Sequence, residues 1–156
     1  VSVPERQIRA RHSATTVTVY QAYPPDIAVP AVAAGRFVAP FKRERMTWIK
    51  PSFLWMMYRC GWATKPGQER VLSIEITRAG FEWALGRAVD RYVDDWIVAV
   101  EDVTATVGQI RDLLRRGDEQ AAAARLPVEH VYPLADRIAA GLGAGPVGDP
   151  DRRHRQ

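Results

Sequence analysis

The sequence predicts an α+β domain, a small and mostly antiparallel sheet covered by several short helices. Four sequence patterns carry that expectation. Two segments, Thr16 to Tyr20 and Arg70 to Ile76, alternate their side chains with a period of two. A third, Phe53 to Cys60, sets apolar residues at helical spacing. A fourth pattern, Val107, Ile110, Leu113 and Leu114, repeats that spacing later in the chain.

The elements follow in order. Ile8 to Arg11 and Thr16 to Tyr20 flank His12-Ser13-Ala14-Thr15, which reads as a β-hairpin or as a strand preceded by a turn. Pro24, Pro25 and Asp26 open a short helix to Ala34, closed by Gly35. Pro30 opposes it, because an interior proline removes a hydrogen bond from the ladder. Phe37 to Thr47 reads as irregular. Pro51 suits the first position of a helix whose buried face is Phe53, Met56, Met57 and Cys60. Ser52, Trp55 and Arg59 fall on another face, and Gly61 suits the C-cap. Lys65-Pro66-Gly67-Gln68 is a turn. In the strand from Arg70, Leu72, Ile74 and Ile76 share one face. Thr77 can cap a helix carrying Phe81, Ala84 and Leu85.

Tyr92, Asp94 and Asp95 read as an exposed turn. Trp96 to Val100 is nearly continuous in apolar residues and reads as a buried strand, with Glu101-Asp102 at its end. Thr104 can cap the helix of Val107 to Leu114. Asp118 to Leu126 is an alanine-rich helix, and Pro133 starts a third, shorter one. Residues 1–141 are expected to form one domain. Residues 142–156, rich in Gly, Pro, Asp and Arg, are expected to be a disordered basic tail.

Composition narrows the function classes. The 156 residues suffice for one domain with a core of its own. Net charge is +4, from 22 basic and 18 acidic residues, a modest excess that does not by itself imply nucleic acid. Cys60 is the one cysteine, which excludes an intramolecular disulfide and a cysteine-only metal cluster. Its place in the apolar helix suggests an inert buried thiol. His12, His130 and His154 are too scattered for a zinc site. Gly141-Leu142-Gly143-Ala144-Gly145 follows no strand, so it is no phosphate loop. No apolar stretch spans a bilayer and no signal-peptide core is readable. The expectation is therefore a cytoplasmic protein without a membrane partner.

The densest chemistry lies between Phe41 and Arg59. Lys42, Arg43, Arg45 and Lys50 precede the aromatic helix, whose N-terminal amides carry partial positive charge. Arg45, Lys50, Ser52 and Arg59 are candidates to converge on a phosphate, with Trp48 or Trp55 stacking on a base. The plainer reading makes the tryptophans core and the cations solvated. Glu101, at a strand end, is the candidate general base or ribose-hydroxyl acceptor, with Tyr20 as a neighbour. Its plainer reading is an acid favouring the N-terminus of the next helix.

Several strings resemble one family. They are Val19-Tyr20-Gln21-Ala22-Tyr23, Ala34-Gly35-Arg36-Phe37, Met46-Thr47-Trp48-Ile49-Lys50-Pro51-Ser52-Phe53, and Gly61-Trp62-Ala63-Thr64-Lys65-Pro66-Gly67-Gln68. Glu75-Ile76-Thr77-Arg78 and Trp96-Ile97-Val98 with Glu101-Asp102-Val103-Thr104 fit as well. Together they resemble the domain-of-unknown-function family numbered 4291, from about Ile8 to Leu134. That resemblance implies no established activity and no known cofactor. It also implies that a family segment is absent between Leu85 and Gly86. If that segment supplies strands, an open sheet edge is expected, and with it pairing to a second copy. Tyr20-Gln21-Ala22-Tyr23 with the helix ending at Gly35 is similar, by fold-level analogy, to the opening of ADP-ribosyltransferase-like domains. Gln21 and Glu101 are the corresponding positions.

Three functions stay open at this point. One is the binding of a phosphate-bearing nucleotide or nucleic acid. The second is a nucleotide-processing enzyme using Glu101. The third is a non-catalytic homodimer formed through the sheet edge.

Overall fold

In the computed structural model the described residues are 7–43, 49–84, 92–135 and 137–138. Among them the chain forms two antiparallel sheets with helices between the strands, the predicted α+β class. The larger sheet has the order β2-β3-β4, from β2 (Thr16–Tyr23), β3 (Arg70–Thr77) and β4 (Ile97–Asp102). The smaller pairs β1 (Arg9–Ala10) with β5 (His130–Val131). The Ser13 hydroxyl accepts the Thr16 amide at 3.0 Å, and this tight turn brings His12 to bridge Val17. Both expectations for this region therefore hold in part: a tight turn precedes β2, while β1 itself pairs with β5.

Period-two alternation gives the main sheet two different faces. Val17, Val19, Leu72, Ile74 and Ile76 form one face and are fully buried. They pack under α1 (Pro25–Ala34), under Phe37, and under Phe81 of α3 (Arg78–Ala84). Tyr92 and Trp96, from the π-helical turn Tyr92–Trp96, complete that core. On the opposite face Tyr20 and Val71 pack against Phe53, Met56, Met57 and Cys60 of α2 (Phe53–Cys60). Val107 and Ile110 of α4 (Thr104–Arg115) and Ala122 of α5 (Glu119–Ala124) close this second cluster.

Local signals explain most element ends. Gly35 and Gly61 close α1 and α2 in the left-handed region, at φ 65° and 58°. Thr77 Oγ1 accepts the Gly80 amide at 3.2 Å and caps α3. Asp118 Oδ1 accepts the Ala121 amide at 3.1 Å and caps α5. Helix α1 continues through Pro30, with Ala28 and Ala31 buried against the sheet. Cys60 is fully buried.

Five expectations need correction. Trp96 to Val100 is not a buried strand. Trp96 ends the π-helical turn, and β4 lies at the sheet edge with Val98 55% exposed. The register passes from Ile76↔Ile97 to Glu75↔Ala99, so Val98 is an extra residue in a bulge. Glu101 and Asp102 lie inside β4, not beyond it. Tyr92 is not part of an exposed turn: it is fully buried and donates to Gln21 Oε1 at 3.0 Å, while Asp94 and Asp95 are exposed.

The remaining corrections concern helix starts. Thr104 does not cap α4. Its hydroxyl accepts the Val71 amide at 2.8 Å, and Asp102 Oδ1 accepts the Thr104 amide at 2.9 Å. Helix α2 begins at Phe53 with Ser52 as its N-cap, two residues after Pro51. The tail from Gly141 and most of the helix expected from Pro133 lie outside the described residues. No helix among the described residues is long and apolar enough to cross a membrane.

Candidate functional site

The site begins with one residue beside β2. Lys50 extends the sheet by a single bridge. The Tyr20 amide donates to the Lys50 carbonyl at 2.7 Å, and the Lys50 amide returns a bond at 3.3 Å. Its ammonium lies 5.3 Å from the Trp55 ring centroid, within cation–π range. Helix α2 then turns its apolar side inward. Leu54, Trp55, Tyr58 and Arg59 remain outside, within an arc of about 140° at 100° per residue. Trp55 is 62% exposed and Tyr58 80%. Their rings meet edge to face at 6.4 Å. The Lys65 ammonium donates to the Arg59 carbonyl at 2.7 Å, adding a cation at the helix C-terminus.

The N-terminus of α2 already holds an anion from the chain itself. The Phe53 amide donates to Glu129 Oε1 at 2.6 Å, and the Ser52 hydroxyl bonds the same carboxylate. Burial raises the Glu129 pKa above the ordinary value, against the opposing pull of the Phe53 and Ser52 hydrogen bonds and of Arg9. Tyr20 is buried behind it, edge-on to Phe53 at 5.3 Å. Burial pushes the Tyr20 phenol up to about 12; Glu129 and Glu101 add to the rise and Arg11 opposes it. Glu129, Arg11 and Glu101 thus all act on one phenol.

Among the described residues the helical packing on this face ends at Tyr20, and beyond it the face is polar. Cross-strand register aligns Tyr20 with Ser73 and Ser73 with Glu101. The next row aligns Thr18, Glu75 and Ala99. Arg11 flanks β2, its carbonyl accepting the Thr18 amide at 2.8 Å. These side chains line a polar hollow of about 100 Å³. Thr16 donates its hydroxyl to Glu75 Oε1 at 2.5 Å and fixes one wall. Among the described residues, no three His, Cys, Asp or Glu side chains gather where they could hold a metal ion.

Residues 7–90 and 86–132 match the family described as Domain of unknown function (DUF4291). The chain belongs to that family. No curated protein and no solved structure matches it. The DUF4291 match divides at residues 86–90, beside the Leu85–Gly86 junction where the family segment is expected to be absent.

The candidate residues of this DUF4291 chain fall into two groups. Lys50, Trp55 and Arg59 share the outer side of α2 and its approach, whereas Tyr20 and Glu101 border the hollow. Ser52 stands between them, bonded to Glu129. Arg59 lies seven residues beyond Ser52, roughly 10 Å along the helix axis, so these two do not meet. Arg45 and Trp48 lie outside the described residues.

Sequence reasoning passed over Tyr58, Glu129, Arg11, Ser73 and Glu75. Tyr58 was readable, three residues after Trp55 on a face opposite the apolar one. Ser73 and Glu75 were readable as the polar alternates of Leu72, Ile74 and Ile76. Glu129 carried no local signal, since its partner is 76 residues away.

Proposed function

We propose that this domain binds a phosphate-bearing ligand with exposed bases, single-stranded nucleic acid, on the outer face of α2. The observation that carries the reading is the pair Trp55 and Tyr58, 62% and 80% exposed, beside the Lys50 ammonium. A helix inside a folded domain loses favourable burial when it turns two large rings to water. Unpaired bases offer flat surfaces to such rings, and every base has one, so stacking tolerates any sequence. Lys50 and Arg59 supply charge for the phosphates on either side. The helix N-terminus itself is assigned no phosphate, because Glu129 takes its first amide.

Anisotropy of a fluorescent single-stranded oligonucleotide tests the reading. The logarithm of affinity should fall linearly with log salt, with a slope of about 0.7 per phosphate neutralised. Trp55→Ala and Tyr58→Ala should each weaken binding about 5- to 100-fold, the range for losing one stacked base. Salt-independent affinity, or variants that bind like the wild type, would refute it.

A further inference from the structure

The hollow on the open half of the sheet is separate from the aromatic face of α2. Its lining is unusually mixed for so small a space: a guanidinium, two carboxylates and two hydroxyls. The opposite charges stand apart. Arg11 flanks β2 and Glu101 lies on β4, three strand spacings or roughly 14 Å of backbone away. Among the described residues no ion pair joins Arg11 to Glu75 or Glu101. Between them lie Thr18 and Ser73, each able to donate and to accept.

We propose that this hollow binds a sugar phosphate, with the phosphate on Arg11 and the sugar hydroxyls on Glu101, Glu75 and Ser73. Guanidinium groups suit phosphate because their paired N–H groups match two oxygens. Carboxylates accept from neighbouring hydroxyls in the same way, as they do for ribose in dinucleotide sites. One Glu75 oxygen already accepts from Thr16, which orients the carboxylate and leaves the other oxygen for a ligand. At about 100 Å³ the space is small and suits the hydroxyl edge of one sugar ring rather than a whole nucleotide. A simple cation is disfavoured by Arg11, and a simple anion by the two glutamates. A ligand with an anionic end and a hydroxyl end satisfies both. This inference does not rest on the stacking surface.

Isothermal titration with ribose 5-phosphate tests it, with ribose and inorganic phosphate as single-ended controls. Ribose 5-phosphate should bind at least tenfold more tightly than either control. Arg11→Ala and Glu101→Ala should each weaken it tenfold or more, the scale of one lost hydrogen bond to a charged group. Both side chains are exposed, so circular dichroism should show an unchanged fold. Trp55→Ala should bind the sugar phosphate as the wild type does. The proposal is overturned if ribose 5-phosphate gives no heat, if inorganic phosphate binds equally well, or if both variants bind normally. A wild-type response to ribose 5-phosphate in a chain that ignores oligonucleotides would leave the hollow standing and remove the α2 surface.

Discussion

Glu129 accepts the Phe53 amide at 2.6 Å, closing the N-terminus of α2 from 76 residues away in sequence. A capping oxygen that satisfies a first-turn amide typically contributes about 1 kcal/mol, and Glu129→Ala should cost that much in urea unfolding. Its pH dependence has a definite sign. Burial raises the folded-state pKa above 4.5, so the folded state holds the proton more tightly than the unfolded state. The stability linked to that proton is fully present below 4.5 and is lost as pH rises through the elevated value. Glu129→Gln keeps an acceptor oxygen and cannot ionise. Its melting temperature should therefore gain on the wild type as pH climbs from 4 to 7. A constant difference across that range would contradict the assignment.

Gly80 and Gly108 make a paired test of packing against helix propensity. A methyl group on Gly80 would sit 2.3 Å from Trp96 Cγ, inside a filled core. Gly80→Ala should destabilise by about 1–3 kcal/mol, because Trp96 must leave its position. On Gly108, within α4, the nearest atom is an Arg111 nitrogen at 4.0 Å. Gly108→Ala should therefore stabilise by about 0.5–1 kcal/mol through backbone entropy and helix propensity. Denaturant midpoints at constant slope would report both.

Tyr20, Tyr92 and Tyr132 should resist ionisation while the chain is folded. Burial holds Tyr20 and Tyr132 up to about 12 and Tyr92 well above the ordinary phenol value. The Tyr132 hydroxyl accepts from Arg78 Nε and donates to Glu82 Oε1, both at 2.9 Å. The Arg78 bond lowers its pKa and the Glu82 bond raises it. An ultraviolet titration should release these phenols only above pH 11, or abruptly on unfolding. Since their folded values exceed the unfolded one near 10, stability should decline as pH rises past 10. Tyr92→Phe should cost about 1 kcal/mol through the lost bond to Gln21.

The parts of the fold that were legible depend on near neighbours in sequence. Alternation placed Leu72, Ile74 and Ile76 on one face, and helical spacing placed Phe53, Met56, Met57 and Cys60 inward. Gly35, Gly61, Thr77 and Asp118 marked ends because each acts within its own turn. What escaped depends on distant partners. An apolar run such as Trp96 to Val100 reads the same at a sheet's centre or edge, and only the outer side of β4, which has no strand partner among the described residues, and its bulge distinguish them. Tyr92 looked like turn material beside two aspartates, but Gln21 on β2 draws its hydroxyl inward. The Thr104 hydroxyl had a choice of amides, and Val71 on the next strand takes it. The candidate site divides similarly. The aromatic face of α2 was half readable, while the hollow needed three strands in register before Arg11, Ser73 and Glu101 became neighbours.

Trp55→Ala separates a binding role from a structural one. The side chain is 62% exposed and its rim contacts are Tyr58 and the Lys50 ammonium. Removing it leaves no core cavity, so unfolding free energy should move by less than about 0.5 kcal/mol. Met56→Ala, one position along and 1% exposed, should cost about 2–5 kcal/mol by emptying part of the cluster under α2. A ring that contributes nothing to stability but whose loss weakens oligonucleotide binding is placed there for a ligand. Should Trp55→Ala instead unfold the chain as readily as Met56→Ala, the ring would belong to the core, and the outer face of α2 would have no claim on nucleic acid.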